Sequence, residues 1–272
     1  SMGSDISDIN NDGRPDIVTL DMLPEGNFRQ KMVSGPDNYD KHQFLVDSDF
    51  HHQYMRNMLH LNQGNSFAEI GQLAGIHATD WSWAPLFADF DNDGFKDLFV
   101  TNGVKRDYTN MDFMNFAVQK RLEEMDSGVE TAIKDLLENI PSTIEENYAY
   151  RNKGNLTFEK STSNWGLDGK SLSNGAAYVD LDNDGDYDLV VNNTDDEAFI
   201  YRNNSELLGN NNFLKIQLEG KNGNTLAVGA KVVVETDTLL LHQELYPARG
   251  FQSSVDPSLI FGLGDKQIVD RV

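Results

Sequence analysis

Apolar residues in this chain fall mostly into short runs bounded by Gly, Asn or Asp, not into long stripes of helical period. Such runs read as strands. Ile17-Val18-Thr19, Leu98-Phe99-Val100 and Leu189-Val190-Val191 each follow an acidic segment at once. Trp83-Ala84-Pro85-Leu86-Phe87-Ala88 and Ala176-Ala177-Tyr178-Val179 precede the second and third of those segments. Farther along, Leu59 to Phe67 recurs as Tyr148 to Phe158, two strands around a Gly-Asn turn, with a shortened echo at Phe199 to Asn204. One repeat is therefore strand, acidic loop, strand, connection, strand, turn, strand. That order predicts a four-stranded antiparallel unit, the blade of a β-propeller.

The acidic loops begin at Asp8, Asp89 and Asp180, 81 and 91 residues apart. A plain blade takes roughly 40–50 residues. Setting residues 24–52 and 105–147 aside as insertions leaves 52 and 48. The second insertion predicts two amphipathic helices leaning on the blades. In the first, Asp112 to Met125, Phe113, Phe116, Ala117 and Lys120-Arg121 recur at helical spacing. In the second, Val129 to Ile140, Ile133, Leu136, Leu137 and Ile140 share a face, and Pro141 ends it. The first insertion, Glu25 to His52, has no clear period and reads as a long loop. Beyond residue 213 the acidic loops stop, and Phe213–Leu218, Ala230–Glu235 and Leu239–Leu245 read as strands. The expectation is an all-β fold, with propeller blades over 5–212 and a β-rich module over 213–272. Ser1-Met2-Gly3-Ser4 has the look of a tag-cleavage remnant and is left out of that fold. Asp265 to Val272 reads as a strand cut by the chain end, so we expect a fragment of a longer protein.

Each acidic loop places oxygen-bearing side chains at positions 1, 3, 5 and 9 and glycine at 6. The first has Asp8, Asn10, Asp12, Gly13 and Asp16; the second Asp89, Asp91, Asp93, Gly94 and Asp97; the third Asp180, Asp182, Asp184, Gly185 and Asp188. Arg14, Phe95 and Asp186 at position 7 can add a backbone carbonyl. Four side chains plus a carbonyl suit calcium, which takes six to eight oxygens, better than magnesium, which holds a stricter octahedron. An EF-hand shares positions 1, 3, 5 and 6 but needs Glu at 12, where this chain has Thr19, Val100 and Val191. Up to three calcium ions are expected, pinning the hairpins, with the Asn10 loop the weakest.

Composition narrows the rest. There is no cysteine, which excludes disulfides and Cys-ligated metals. A formal charge of −22 argues against nucleic acid as partner. No run approaches the ~18 apolar residues that span a bilayer. At 39% hydrophobic residues the chain can build a sizeable core.

The three loops, in matching strand contexts, resemble FG-GAP/VCBS repeats, the calcium-loop propeller blades also found in integrin α-subunits. Val228-Gly229-Ala230-Lys231-Val232, Arg249-Gly250-Phe251-Gln252-Ser253, Asp256-Pro257 and Phe261-Gly262-Leu263-Gly264 resemble the ASPIC/UnbV domain. Together they are similar to the cartilage-acidic-protein/UnbV-like family, common among bacterial secreted and outer-membrane proteins. The resemblance implies calcium on the loop residues named above and a place outside the cell, in the periplasm or on the outer-membrane surface.

Other residues offer weaker chemistry. Trp81 and Trp83 fit blade packing or stacking on a sugar. His51-His52 with Asp47 and Asp49 fits a solvated loop or a transition-metal site. Arg249 fits an anionic partner or a turn. The helical insertion fits a lid, a docking face or decoration. No Gly-rich phosphate loop, GxSxG elbow or HExxH is present. The expected function is a non-catalytic binding or adhesion scaffold for a protein or glycan. A carbohydrate-active propeller enzyme using spare carboxylates is the alternative, and a purely structural adhesive module is a third reading.

Overall fold

A computed structural model describes residues 2–33, 38–50, 52, 54–129, 132–209 and 211–272. Three antiparallel sheets follow one another along the chain. The first joins β1 (Ser4–Ser7), β2 (Asp16–Thr19), β3 (Met58–Asn62) and β4 (Phe67–Glu69) in sequence order. The second joins β5 (Ser82–Ala88) and β6 (Asp97–Asn102) to β8 (Tyr148–Asn152) and β9 (Phe158–Lys160). The third has only three strands, β11 (Ser173–Val179), β12 (Asp188–Asn193) and β13 (Phe199–Tyr201). Each acidic loop joins the first two strands of its sheet, in register Ser7↔Asp16, Ala88↔Asp97 and Val179↔Asp188. Short β7 (Glu145–Glu146) and β10 (Lys170–Ser171) pair with each other. Of the residues set aside as a remnant, Ser1 lies outside the described ones, Ser4 pairs with Thr19 in the first sheet, and the Leu20 amide donates to the Gly3 carbonyl.

The burial pattern follows from stacking. β6 is buried at every position because the second sheet has protein on both faces. Leu98, Val100 and Phe87 meet Val18, Leu20 and Leu59 of the first sheet. Phe99, Leu86 and Ala88 meet Tyr178, Leu189 and Val191 of the third. β2, covered on one face, alternates instead.

The second insertion is helical as expected: α4 is Met111–Ser127 and α5 is Ile133–Glu138. Asn110 caps α4 by accepting from the amides of Asp112 and Phe113, and Gly128 stops it in the left-handed region at φ 69°. Neither helix buries a residue, so they decorate the sheets more than lean on them. The first insertion is not a loop. It forms α1 (Asn27–Val33) and α2 (Tyr39–Asp47), while residues 34–37 lie outside the described ones. No apolar period marks these helices because neither buries a side chain. What holds α1 is ionic: Arg29 reaches Asp80 at 3.0 Å and Asp107 at 2.6 Å, which ties it to the second insertion. Asn38, which accepts from the Lys41 amide, is the helix signal that marks α2.

After α3 (Gly71–Ala74) and α6 (Ser205–Leu208), the C-terminal strands are β14 (Asn212–Ile216), β15 (Lys231–Glu235), β16 (Leu240–Glu244), β17 (Ala248–Arg249), β18 (Ser253–Ser254) and β19 (Leu259–Gly264). β14–β19 and β15–β16 pair around Val234, Leu241, Leu259 and Phe261, and β17–β18 form a separate hairpin. The strand expected over Asp265–Val272 reduces to one bridge, Glu235↔Arg271. The β17–β18 hairpin lies against β1, β5 and β11, the first strands of the three sheets, with Gly250 bridged to Ser4. A Cβ on Gly250 would stand 3.2 Å from Ala84 and Leu86.

Candidate metal centre

The three loops share a backbone scaffold that starts from position 9. Asp16 accepts from the amides of Ile9 (3.1 Å) and Asn62 (2.8 Å). Asp97 accepts from Phe90 (3.0 Å) and Asn152 (2.8 Å), and Asp188 from Leu181 (2.9 Å) and Asn203 (2.8 Å). One carboxylate thus ties its loop to the end of the third strand of the same sheet. Position 1 closes the turn: Asp8 accepts from the amides of Asp12 and Gly13, and Asp89 from those of Asp93 and Gly94. Position 4 links the repeats. Asn11, Asn92 and Asn183 all have positive φ (58°, 56° and 62°), where asparagine is tolerated. Asn11 donates to the Gly94 carbonyl at 2.9 Å and Asn92 to the Gly185 carbonyl at 3.1 Å. Position 6 turns the chain with Gly13, Gly94 and Gly185 at φ 82°, 94° and 96°.

Oxygen atoms converge unevenly on this scaffold. In the second loop, Asp89, Asp91 and Asp97 bring ligand atoms within 4.8 Å of one another. In the third, two overlapping sets do so: Asp180, Asp182 and Asp184, and Asp184, Asp186 and Glu206. Among the described residues no such set forms in the first loop, where Asn10 donates to Asp12 and Arg14 pairs with Asp12 at 2.5 Å. Asp93 and Asp188 stand outside the sets, and Glu206, beyond the motif, enters one. The buried carboxylate of Asp186 accepts from the Ser205 amide (3.1 Å) and hydroxyl (2.8 Å).

Burial and mutual repulsion raise several of these carboxyls. Burial pushes Asp89 up to about 7, and Asp93 and Asp91 add to the rise against the pull of Lys96. Burial likewise raises Asp97 well above the ordinary carboxylate range, with Asp91 and Asp89 beside it. Asp16 is raised to about 6 by burial, against two amide hydrogen bonds, and Asp186 to about 7 by burial. Arginines supply part of the missing charge: Arg151 pairs with Asp91 (2.6 Å) and Asp93 (3.0 Å), and Arg202 with Asp182 (2.8 Å) and Asp184 (3.2 Å). In the first repeat Leu61 stands at the corresponding place. The donor set fits a hard divalent cation. It is all oxygen, and an oxygen accepting one N–H retains a second lone pair. Asp180 Oδ1 is also buried without a hydrogen-bond partner among the described residues.

The family model for FG-GAP-like repeats matches residues 44–100, from α2 through the second acidic loop. The model for ASPIC and UnbV matches residues 220–272. The chain carries an FG-GAP-like repeat and a C-terminal ASPIC/UnbV domain. No curated protein matches it. The ASPIC/UnbV domain sits over the glycine corners of the first two acidic loops, Gly13 and Gly94. A Cβ on Gly13 would lie 3.3 Å from the His242 ring, and one on Gly262 would lie 2.1 Å from Asp89 Oδ2. Lys215 reaches Asp180 at 2.7 Å, just ahead of that match.

The Tyr-Arg-Asn echoes at 150–152 and 201–203 were legible as repeats, yet the charge-balancing role of Arg151 and Arg202 depends on the fold. Trp81 is buried and Trp83 packs on Phe251 while donating to the Gly103 carbonyl, so both are packing residues. His51 lies outside the described residues, and the His52 ring stacks on Tyr54. Arg249 is an internal tie, 2.7 Å from Asp5.

Proposed function

We propose that this chain is a calcium-binding scaffold whose three sheets act as propeller-type blades, working outside the cell, in the periplasm or on the outer-membrane surface, without catalysis. FG-GAP repeats support the coarser reading, a binding or adhesion scaffold. The observation that carries the calcium reading is the convergence of Asp89, Asp91 and Asp97 in a loop where Asp89 and Asp97 are fully buried. Deprotonated carboxylates so placed repel one another, and a divalent ion supplies the compensating charge. Asp89, Asp91 and Asp97 would hold one ion; Asp180, Asp182 and Asp184 would hold a second. The chain's own part is to orient those oxygens, through position 9 on the third strand and position 4 on the next loop.

A protein partner is favoured over a glycan by α4. Phe113, Phe116 and Ala117 are half-buried, but Met114, Val118, Leu122 and Met125 form an exposed apolar stripe. Stripping with EDTA and titrating calcium and magnesium by calorimetry tests the cation. Saturable calcium binding is expected, with one ion fewer bound in Asp89→Asn together with Asp97→Asn. Identical melting midpoints with EDTA and with millimolar calcium would sink the reading.

A further inference from the structure

Two carboxylates beside the third acidic loop have no counterpart in the other repeats. Position 7 is Asp186 there, against Arg14 and Phe95. Asn62, Asn152 and Asn203 each donate a backbone amide to position 9 of their loop, and three residues farther on stand Asn65, Asn155 and Glu206. The chain path explains the difference. β3 and β8 turn back into a fourth strand, whereas β13 runs into α6. Asp186 fixes the start of α6: its Oδ2 accepts from the amide and hydroxyl of Ser205 and from the Glu206 amide at 3.4 Å. Glu206 is thereby held against the loop.

That tie uses only one oxygen of Asp186, a residue 0% exposed. Its Oδ1 and the Oε2 of Glu206 are both buried without a hydrogen-bond partner among the described residues. Acceptors taken out of water and left unmet are costly, so this pair calls for a ligand. Asp186 and Glu206 bring oxygens within 4.8 Å of each other and of Asp184, whereas Asp180 and Asp182 meet only Asp184 of that set. The oxygens therefore gather about two centres that share Asp184. Charge points the same way. Asp180, Asp182, Asp184, Asp186, Asp188 and Glu206 are all acidic, and the described cations within 4 Å of them are Arg202 and Lys215, for a net charge of −4. Neither reaches Asp186. One divalent ion in the loop leaves half of that charge, and a second removes it.

We propose that the third repeat holds two divalent cations: the loop ion, and a further one on Asp184, Asp186 and Glu206, with Asp184 shared between them. The donors are all carboxylate oxygens, which suits a hard ion such as calcium, with water completing its shell. The inference rests on the calcium reading of the loops and adds a site that their repeated spacing does not contain. The further ion would fasten α6 to the third loop. α6 carries the chain from the third sheet to β14 and on to the ASPIC/UnbV domain, so the ion would secure the passage from the repeats into that domain.

The test counts bound calcium per chain. The full chain is stripped with EDTA and dialysed to equilibrium against millimolar calcium at mildly alkaline pH. Glu206→Gln keeps the length of a side chain that lies outside the loop, and it should bind one ion fewer than wild type. Asp186→Asn should lose the same ion and serves should Glu206→Gln fail to fold. The two substitutions together should lose no more than either alone. Equal ion counts in wild type and the folded single variants would overturn the further site and leave the loop reading standing. A wild-type chain that binds no calcium would overturn both.

Discussion

The second and third acidic loops have nearly the same spelling but different surroundings. Asp89 and Asp97 lie between two neighbouring sheets, beneath Gly262 of the C-terminal domain, and both are fully buried. The third loop ends the series, so Asp182 stays exposed and Lys215 comes in from outside the repeats to neutralise Asp180. A repeated motif specifies backbone geometry locally, while its neighbours set how deeply its carboxylates are buried and which cationic side chains reach them. The middle loop is therefore the most constrained of the three, and its substitutions should hurt most.

The largest effect is expected at position 9. Asp97→Ala leaves the amides of Phe90 and Asn152 unsatisfied in a buried setting, at about 1–3 kcal/mol each. Urea unfolding should place its total loss at about 3–5 kcal/mol. Asp188→Ala, whose partner amides are only part-buried, should lose about half as much. Equal losses would break the contrast between middle and end. Next comes the link between repeats: Asn92→Ala removes the bond to Gly185 and strains a residue at φ 56°, for about 1–3 kcal/mol. Asn11→Ala, whose side-chain bond is only part-buried, should fall at the lower end of that range.

A pH series sharpens the electrostatic half of the comparison. Asp16 and Asp89 have folded values near 6 and 7 against an ordinary 3.8. The fold therefore holds more protons than the unfolded chain in between, and stability falls as pH rises across that window. In EDTA, the melting midpoint should drop between about pH 4 and pH 7. Calcium should flatten that fall, because the ion takes over from the proton. A midpoint in EDTA that rises over the same range would contradict the burial of these carboxyls. The smallest effect belongs to the first loop. Arg14→Ala breaks a half-exposed pair with Asp12 and should shift stability by no more than ~0.5 kcal/mol.

Much of this was written in the residue order. The spacing of Asp and Gly, the β-runs that follow Asp16, Asp97 and Asp188, and the helical period from Phe113 to Lys120 each reflect a local rule, so they could be read one segment at a time. The first insertion escaped because α1 and α2 bury no side chain and therefore carry no periodic stripe. Its anchor is Arg29, whose partners Asp80 and Asp107 are distant in sequence.

By itself the sequence determined the strand–loop–strand unit, the oxygen-rich turns and their number, because backbone conformation and side-chain type at each position are properties of nearby residues. Only the tertiary structure decided which turns gather three carboxylates, that Glu206 joins one set, and that Arg151 and Arg202 balance part of the charge. Those outcomes depend on burial and on distances between segments far apart along the chain.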